Sequence, residues 1–374
     1  MNTTDPHRRV KKILVVRFRQ LGDAVLTMSL CTTLRNSFPG AEIHLVLNQE
    51  IEQLFEGHPD IDKIISFDRK HDKQTGPYLR RVWQIVRSTQ YDVIIDMRAT
   101  PKSLVFSALS GGTPYRIGRG KWYSLPFLTH PLPEKTMMQW PMLEQNLSFA
   151  SPLEDAGNIQ YCKDFKLVLH PAEIDKFSDY LTSLGIDFNR PILLLGVSAK
   201  LASKRWNKRY MMTTVERILN TYPDAQLILN HARGEEEADT REIYEALRKP
   251  GCMLFKLKPM SLRELGALCS LSTFYFGNEG GARHIAQAFG VPSFVIVSPR
   301  INKSVWLPRN HVPAMGISCE DVLSKGQLEL MTEQERYDAI TPEVVWSKLN
   351  PMLAEYCGAR VDTFSRSDAR QKAF

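Results

Sequence analysis

Residues 276–292 read FGNEGGARHIAQAFGVP, a Gly-Gly pair and a histidine at the mouth of an amphipathic helix. Backbone N–H groups at a helix start, backed by the helix dipole, bind anions. Gly280 and Gly281 would let a phosphate approach that backbone, with Glu279 and His284 beside it. A tight strand-to-helix turn explains two glycines equally well, so the rest of the chain has to decide. VSAKLASKRWNKRY (197–210) sets Ser198, Lys200, Ser203, Lys204 and Arg205 after a hydrophobic run, and hydroxyls with cations suit a diphosphate. NHARGEEE adds Glu235. Cations for phosphate with carboxylates for sugar hydroxyls form the pattern of a nucleotide-sugar site. RFRQLGD (17–23) places Asp23 at the start of the first long helix, flanked by Arg17 and Arg19. A carboxylate there is either a favourable helix-terminus charge or a general base. The two arginines could lower its pKa or hold an anionic substrate. With one glycine, this loop lacks the G-x-G-x-x-G fingerprint of dinucleotide dehydrogenases.

These loops need strands and helices to aim them. ILVVRF (13–18), EIHLVL (42–47), KIISF (63–67) and DVIIDM (92–97) read as buried strands, alternating with helical stretches such as GDAVLTMSLCTTLRNSF (22–38). The pattern restarts with ILLLGV (192–197), AQLILN (225–230), STFYF (272–276) and SFVIVS (293–298), with helices over 207–222 and 235–247. Ser261 opens a capping box, S-L-R-E. DFKLVL (164–169) is a further expected strand between the two series. The expectation is an α/β chain of two doubly wound, Rossmann-like domains facing a central cleft, spanning 10–165 and 166–350. Residues 351–374 form a polar tail expected to be poorly ordered.

Composition narrows the class. The chain has 374 residues, 43% hydrophobic and 24% charged, as in a soluble protein of two domains. It has no apolar run of ~20 residues and no signal-peptide core at the N-terminus, so the expected location is the cytoplasm. Six cysteines without C-x-x-C spacing read as reduced thiols. A net charge of +7 allows anionic partners, and no nucleic-acid-binding motif accompanies it. No Asp-x-Asp cluster marks a metal site, and no bound cofactor is expected. GKWYSLPFLTHPLP (120–133) mixes Lys121 with Trp122, Tyr123, Phe127 and Leu128, either as a core-packing loop or as a surface for a lipid-borne acceptor.

ILVVRFRQLGDAVLTMSLCTTLRNSFPGAEIHLVL resembles the start of the bacterial heptosyltransferases, glycosyltransferase family nine. DMRATPKSLVFSALSG with RIG after it, SKRWNKRY, GEEEAD and KPMSLRELGALCSLSTFYFGNEGGARHIAQAFGVP resemble the family's later segments in the same order, over roughly 13–298. The resemblance implies a glycosyltransferase fold of the B type. It also implies metal-independent, inverting transfer from an ADP-activated heptose to the inner core of lipopolysaccharide. It makes Asp23 the base, sets Lys204 on the diphosphate and Glu235 near the ribose, puts Met260 at the adenine, and gives Lys102 a part in holding an acidic acceptor. The implied partners are a nucleotide sugar and a lipid-linked saccharide at the inner face of the inner membrane, and no nucleic acid. Glu279 stands for the family's aspartate, Gly280 for a hydroxyl residue, and SPRINKSVW for a small glycine-containing turn; these departures bear on which sugar is carried. The alternatives are another nucleotide sugar for a different surface glycan, or a nucleotide-binding protein that has lost turnover.

Overall fold

Runs such as KILVV and VIID show no polar alternation, which suits strands covered on both faces. In the computed structural model, which describes residues 10–18, 21–68, 74–249, 251–255 and 257–358, they are the centre of a parallel sheet. Its strands are β1 (Lys12–Val16), β2 (Glu42–Asn48), β3 (Lys63–Phe67), β4 (Val93–Asp96), β5 (Tyr115–Arg119) and β6 (His130–Leu132), in the order β3-β2-β1-β4-β5-β6. Leu14, Val16, Val46 and Ile94 pack with Val82, Val86 and Phe106 of the flanking helices.

The chain divides between Val168 and Leu169 into two compact units. The second unit holds β7 (Ile192–Gly196), β8 (Gln226–Leu229), β9 (Met253–Leu254), β10 (Phe274–Asn278), β11 (Ser293–Ile296) and β12 (Ala314–Ile317), in the order β12-β11-β10-β7-β8-β9. Numbered within each unit, both sheets therefore run 3-2-1-4-5-6, the doubly wound order. The direction of strand addition reverses between β1 and β4, and again between β7 and β10. Ligands in such sheets bind beyond the carboxyl ends at that reversal. The weight thus falls on the segments after β1 and β4 in one unit, and after β7 and β10 in the other.

Three expectations change. The helix expected over 22–38 is two, Leu21–Leu26 and Met28–Ser37. The Leu26 carbonyl is taken by the Ser29 hydroxyl and the Asn146 amide, and the Leu30 N–H turns to Thr27 instead. DFKLVL is not a strand: Phe165, Leu167 and Leu169 are buried in alternation, yet the segment joins neither sheet. Alternation reports one-sided burial, which an extended segment shares with a strand. Lastly, the expected tail begins as structure. The helix Pro342–Leu353 continues into a π-helical turn, Ala354–Gly358, and Met352 and Leu353 lie in the second unit's core. Residues 359–374 lie outside the described residues. The capping box forms as expected, with the Ser261 hydroxyl accepting from the Glu264 N–H at 3.1 Å.

Candidate functional site

In the first unit, β1 delivers Arg17 into the interior. Its guanidinium donates to Asp23 Oδ1 at 3.0 Å, and both residues are buried. Asp23 lies in the first turn of its helix, as expected. The segment after β4 meets this pair's neighbourhood: Arg98 Nη1 donates to the Phe18 carbonyl at 3.0 Å. Lys102, exposed in the first turn of the helix Pro101–Ala108, holds its ammonium 5.0 Å from the Tyr78 ring and 5.5 Å from the Phe18 ring. Arg19 lies outside the described residues.

Sequence reasoning passed over Asp96, the last residue of β4. It is fully buried, and Oδ1 accepts from the N–H groups of Arg98 (3.0 Å) and Ala99 (2.8 Å). Burial pushes its pKa up against those hydrogen bonds. The carboxylate holds Ala99 in the left-handed region at φ 47°, a conformation that costs a non-glycine residue ~1–3 kcal/mol. Lys121 Nζ donates to the Arg98 carbonyl at 3.2 Å and the Tyr123 hydroxyl to the Ala99 carbonyl at 3.1 Å, so the 120–123 segment completes this turn. A legible trace was present: an aspartate ending a strand, then Thr-Pro, the cap and first residue of the next helix.

In the second unit, the segments after β7 and β10 are joined by charge. Lys204 Nζ donates to Glu279 Oε2 at 2.5 Å, and His284 Nε2 lies 3.7 Å from the other oxygen. Burial would raise the Glu279 pKa, but His284 and Lys204 outweigh it and hold it at about 2. Arg283, fully buried, donates to the Gln287 side chain at 2.7 Å and to the Trp306 carbonyl at 3.0 Å, and approaches His284 Nε2 at 2.8 Å. Burial lowers it to about 10, which leaves it cationic at neutral pH. The helix Gly281–Ala288 has Gly280 at its N-cap, a residue with no side chain to cap it.

A second group forms beside the first. The Ser198 hydroxyl donates to Asp239 at 3.1 Å; Arg205 reaches Asp239 at 3.1 Å and the exposed Glu235 at 2.7 Å; Lys208 lies 3.0 Å from Asp239. Burial pushes the Asp239 pKa up, and Lys208 and Ser198 more than reverse it. Asp239 was missed, although it stands four residues after Glu235, on the same helical face. Met260 is half-buried, immediately ahead of the cap Ser261.

The glycines divide differently from expectation. Gly280 is extended, at φ −172°, and a Cβ there would meet nothing within 4 Å. The fold does not require glycine at 280; what the position offers is open space beside the helix start. The demanding glycine is Gly277 on β10, at φ 153°, where a Cβ would lie 2.3 Å from the Gly196 carbonyl of β7. Asn278 locks the same junction, accepting from the Trp206 N–H at 2.9 Å and donating to the Gly196 carbonyl at 3.1 Å.

The sequence model described as glycosyltransferase family 9 (heptosyltransferase) matches residues 79–303. Lipopolysaccharide heptosyltransferase 3 of Escherichia coli is 22% identical over 289 residues, 72% of this chain and 78% of its own length. A solved family 9 glycosyl transferase of Veillonella parvula superposes with a TM-score of 0.75 at 17% identity, covering 92% of this chain and 98% of that one. The E. coli ADP-heptose lps heptosyltransferase II gives a TM-score of 0.70 at 20% identity, with coverage of 92% and 99%.

Proposed function

This chain belongs to glycosyltransferase family 9 and is a glycosyltransferase; from that premise, we propose that it transfers a heptose from ADP-heptose to an inner-core sugar of lipopolysaccharide, with inversion and without a metal. The acceptor is lipid-linked, and the enzyme works in the cytoplasm at the inner face of the inner membrane. The observation that carries the reading is the division of chemistry between the two sheet reversals: a carboxylate with its arginine in one unit, and cations around an open helix start in the other. The chemistry follows from those groups. Asp23 takes the proton of the acceptor hydroxyl as that oxygen attacks the anomeric carbon. The bond from that carbon to the diphosphate breaks on the opposite face. The negative charge left on ADP meets Lys204, His284 and the N–H groups at Gly281. Ser198 completes the diphosphate contacts, Glu235 takes the ribose, and Met260 lines the adenine. Arg19 and Lys102 hold the acidic acceptor; Arg17, expected to share that part, is buried against Asp23 and instead positions the base.

A second reading, the same reaction with another nucleotide sugar, is favoured by one feature. Glu279 is one methylene longer than the family's aspartate and is already engaged by Lys204 and His284. One methylene shifts discrimination by ~1–3 kcal/mol, enough to change the preferred sugar. Transfer from ADP-heptose is to be compared with transfer from ADP-, UDP- and GDP-hexoses, using truncated core acceptors. ADP-heptose is expected to lead; a clear preference for a UDP- or GDP-sugar overturns the donor and leaves the mechanism in place.

A further inference from the structure

One edge of the first unit differs from the rest of the surface. Among the described residues, twelve large hydrophobic side chains are exposed, and five of them, Trp122, Leu125, Phe127, Met138 and Trp140, bracket the edge strand β6. Trp122 is 86% exposed and Met138 58%. Single exposed hydrophobics need no explanation; a concentration of them does. The segment is also firmly built. The Gly120 N–H donates to the Leu132 carbonyl at 2.7 Å, Lys121 pairs with Glu134 at 3.3 Å, and the Gln145 amide donates to the Trp140 carbonyl at 2.8 Å. Trp122 meets Tyr123 edge-on at 5.4 Å, and Tyr123 is fixed to Ala99. An indole left in water on so constrained a segment calls for a partner.

The surrounding charge indicates which partner. Residues 97–143 hold six basic side chains, Arg98, Lys102, Arg116, Arg119, Lys121 and Lys135, and a single acid, Glu134, so +5 of the chain's +7 falls here. Aromatic rings settle at headgroup depth, and an anionic leaflet draws cations to its surface. We propose that residues 120–140 form a docking surface for an anionic phospholipid bilayer, entered by Trp122, Leu125 and Phe127. The segment leaves the carboxyl end of β5 and bonds the 98–99 turn, so docking sets that turn at the bilayer. The proposal rests on the reading above only in making the bilayer the place where the acceptor waits.

The test is co-sedimentation of the full chain with phosphatidylglycerol-containing vesicles and with pure phosphatidylcholine vesicles. Binding is expected to the first and not the second, and to fall at high salt. Trp122→Ser with Phe127→Ser should lower it at least about tenfold, and Lys135→Ala about fivefold, the loss of one cation near such a surface. Thermal melts check that the variants remain folded. Transfer to a soluble acceptor trimmed of lipid should be unchanged in the double variant. Equal binding to both vesicle types, no binding by the folded wild type, or wild-type binding by the double variant overturns the proposal. So does a concentration-dependent dimer of the wild type that the double variant loses, which would give the surface to a second copy of the chain. Vesicle binding with these losses, but no transfer from any nucleotide sugar, removes the transferase donor reading and leaves the docking surface standing.

Discussion

Asp23 is tied to a buried arginine, and that changes how its removal must be tested. Truncation to alanine takes the partner carboxylate from Arg17, and breaking a buried ion pair costs ~3–5 kcal/mol of stability. Asp23→Asn keeps the shape and removes the basic oxygen. It is expected to fold and to lose ~10²–10⁴ in turnover, with ADP affinity unchanged. Near wild-type transfer by Asp23→Asn would end its assignment as the base. Glu279 lends itself to a pH measurement. Its folded pKa, about 2, lies below the ordinary 4.5, so its contribution is fully present above about pH 4.5 and is lost as the pH falls through 2. That contribution is up to about 3 kcal/mol. Urea unfolding of wild type and Glu279→Gln between pH 5 and 2 should show the wild type losing the larger amount; parallel curves would mean that the carboxylate is not held. Asp23, Lys204 and Glu279 could be picked out from the sequence because each is a charged side chain beside a hydrophobic run. Asp96 also ends a hydrophobic run, but its role, like that of Asp239, rests on which N–H or hydroxyl folds back to it, and that is not written in the neighbouring residues.

The elements most readable from sequence are the long hydrophobic ones. β1, β2, β4, β7 and β10 are central in their sheets, and burial on both faces writes a run that needs no partner to be recognised. Three of the four edges are poorly written: β6 is HPL, β9 is ML and β12 is AMGI, each too short for any period, whereas the fourth, β3, is KIISF and was legible. Helix breaks fare no better, because the split at Thr27 depends on Asn146, far along the chain. The same holds for the β7–β10 junction, where Gly277 and Gly196 approach more closely than side chains allow. Gly277→Ala places a methyl group against the Gly196 carbonyl and keeps a φ that L residues avoid. It is expected to destabilise the second unit by ~2 kcal/mol or more and to weaken ADP binding by spreading the segments after β7 and β10. Melting with and without ADP measures both. A variant as stable as wild type, with unchanged ADP affinity, would show that the close approach positions nothing.

At the scale of the molecule, two units with the same strand order carry different charged groups at their reversals, and the function proposed above gives them different work. The repeat was plain in the sequence, because two hydrophobic series with a restart can only be two sheets. The end of the C-terminal helix was not plain: Met352 and Leu353 join the second core, and the polar residues that follow hid them. The division of work leads to a prediction about metal. The groups proposed to meet the diphosphate, Lys204, His284 and the Gly281 helix start, all belong to the second unit, and Arg205 and Lys208 add cations beside them. Those cations are held by Glu279, Glu235 and Asp239, and they are expected to turn to the diphosphate when it arrives: ADP should then bind with excess EDTA present, and transfer is expected to persist. At a hundredfold excess over Kd, binding stabilises the folded state by ~2.7 kcal/mol. Hydrogen exchange in EDTA should show ADP protecting residues 198–208 and 279–287. Lys204→Ala should weaken binding by ~1.5–3 kcal/mol, the worth of a hydrogen bond to a charged group. ADP binding that appears only when magnesium is added, or protection confined to residues 96–102, would place the leaving diphosphate elsewhere and give a metal the part assigned here to side chains.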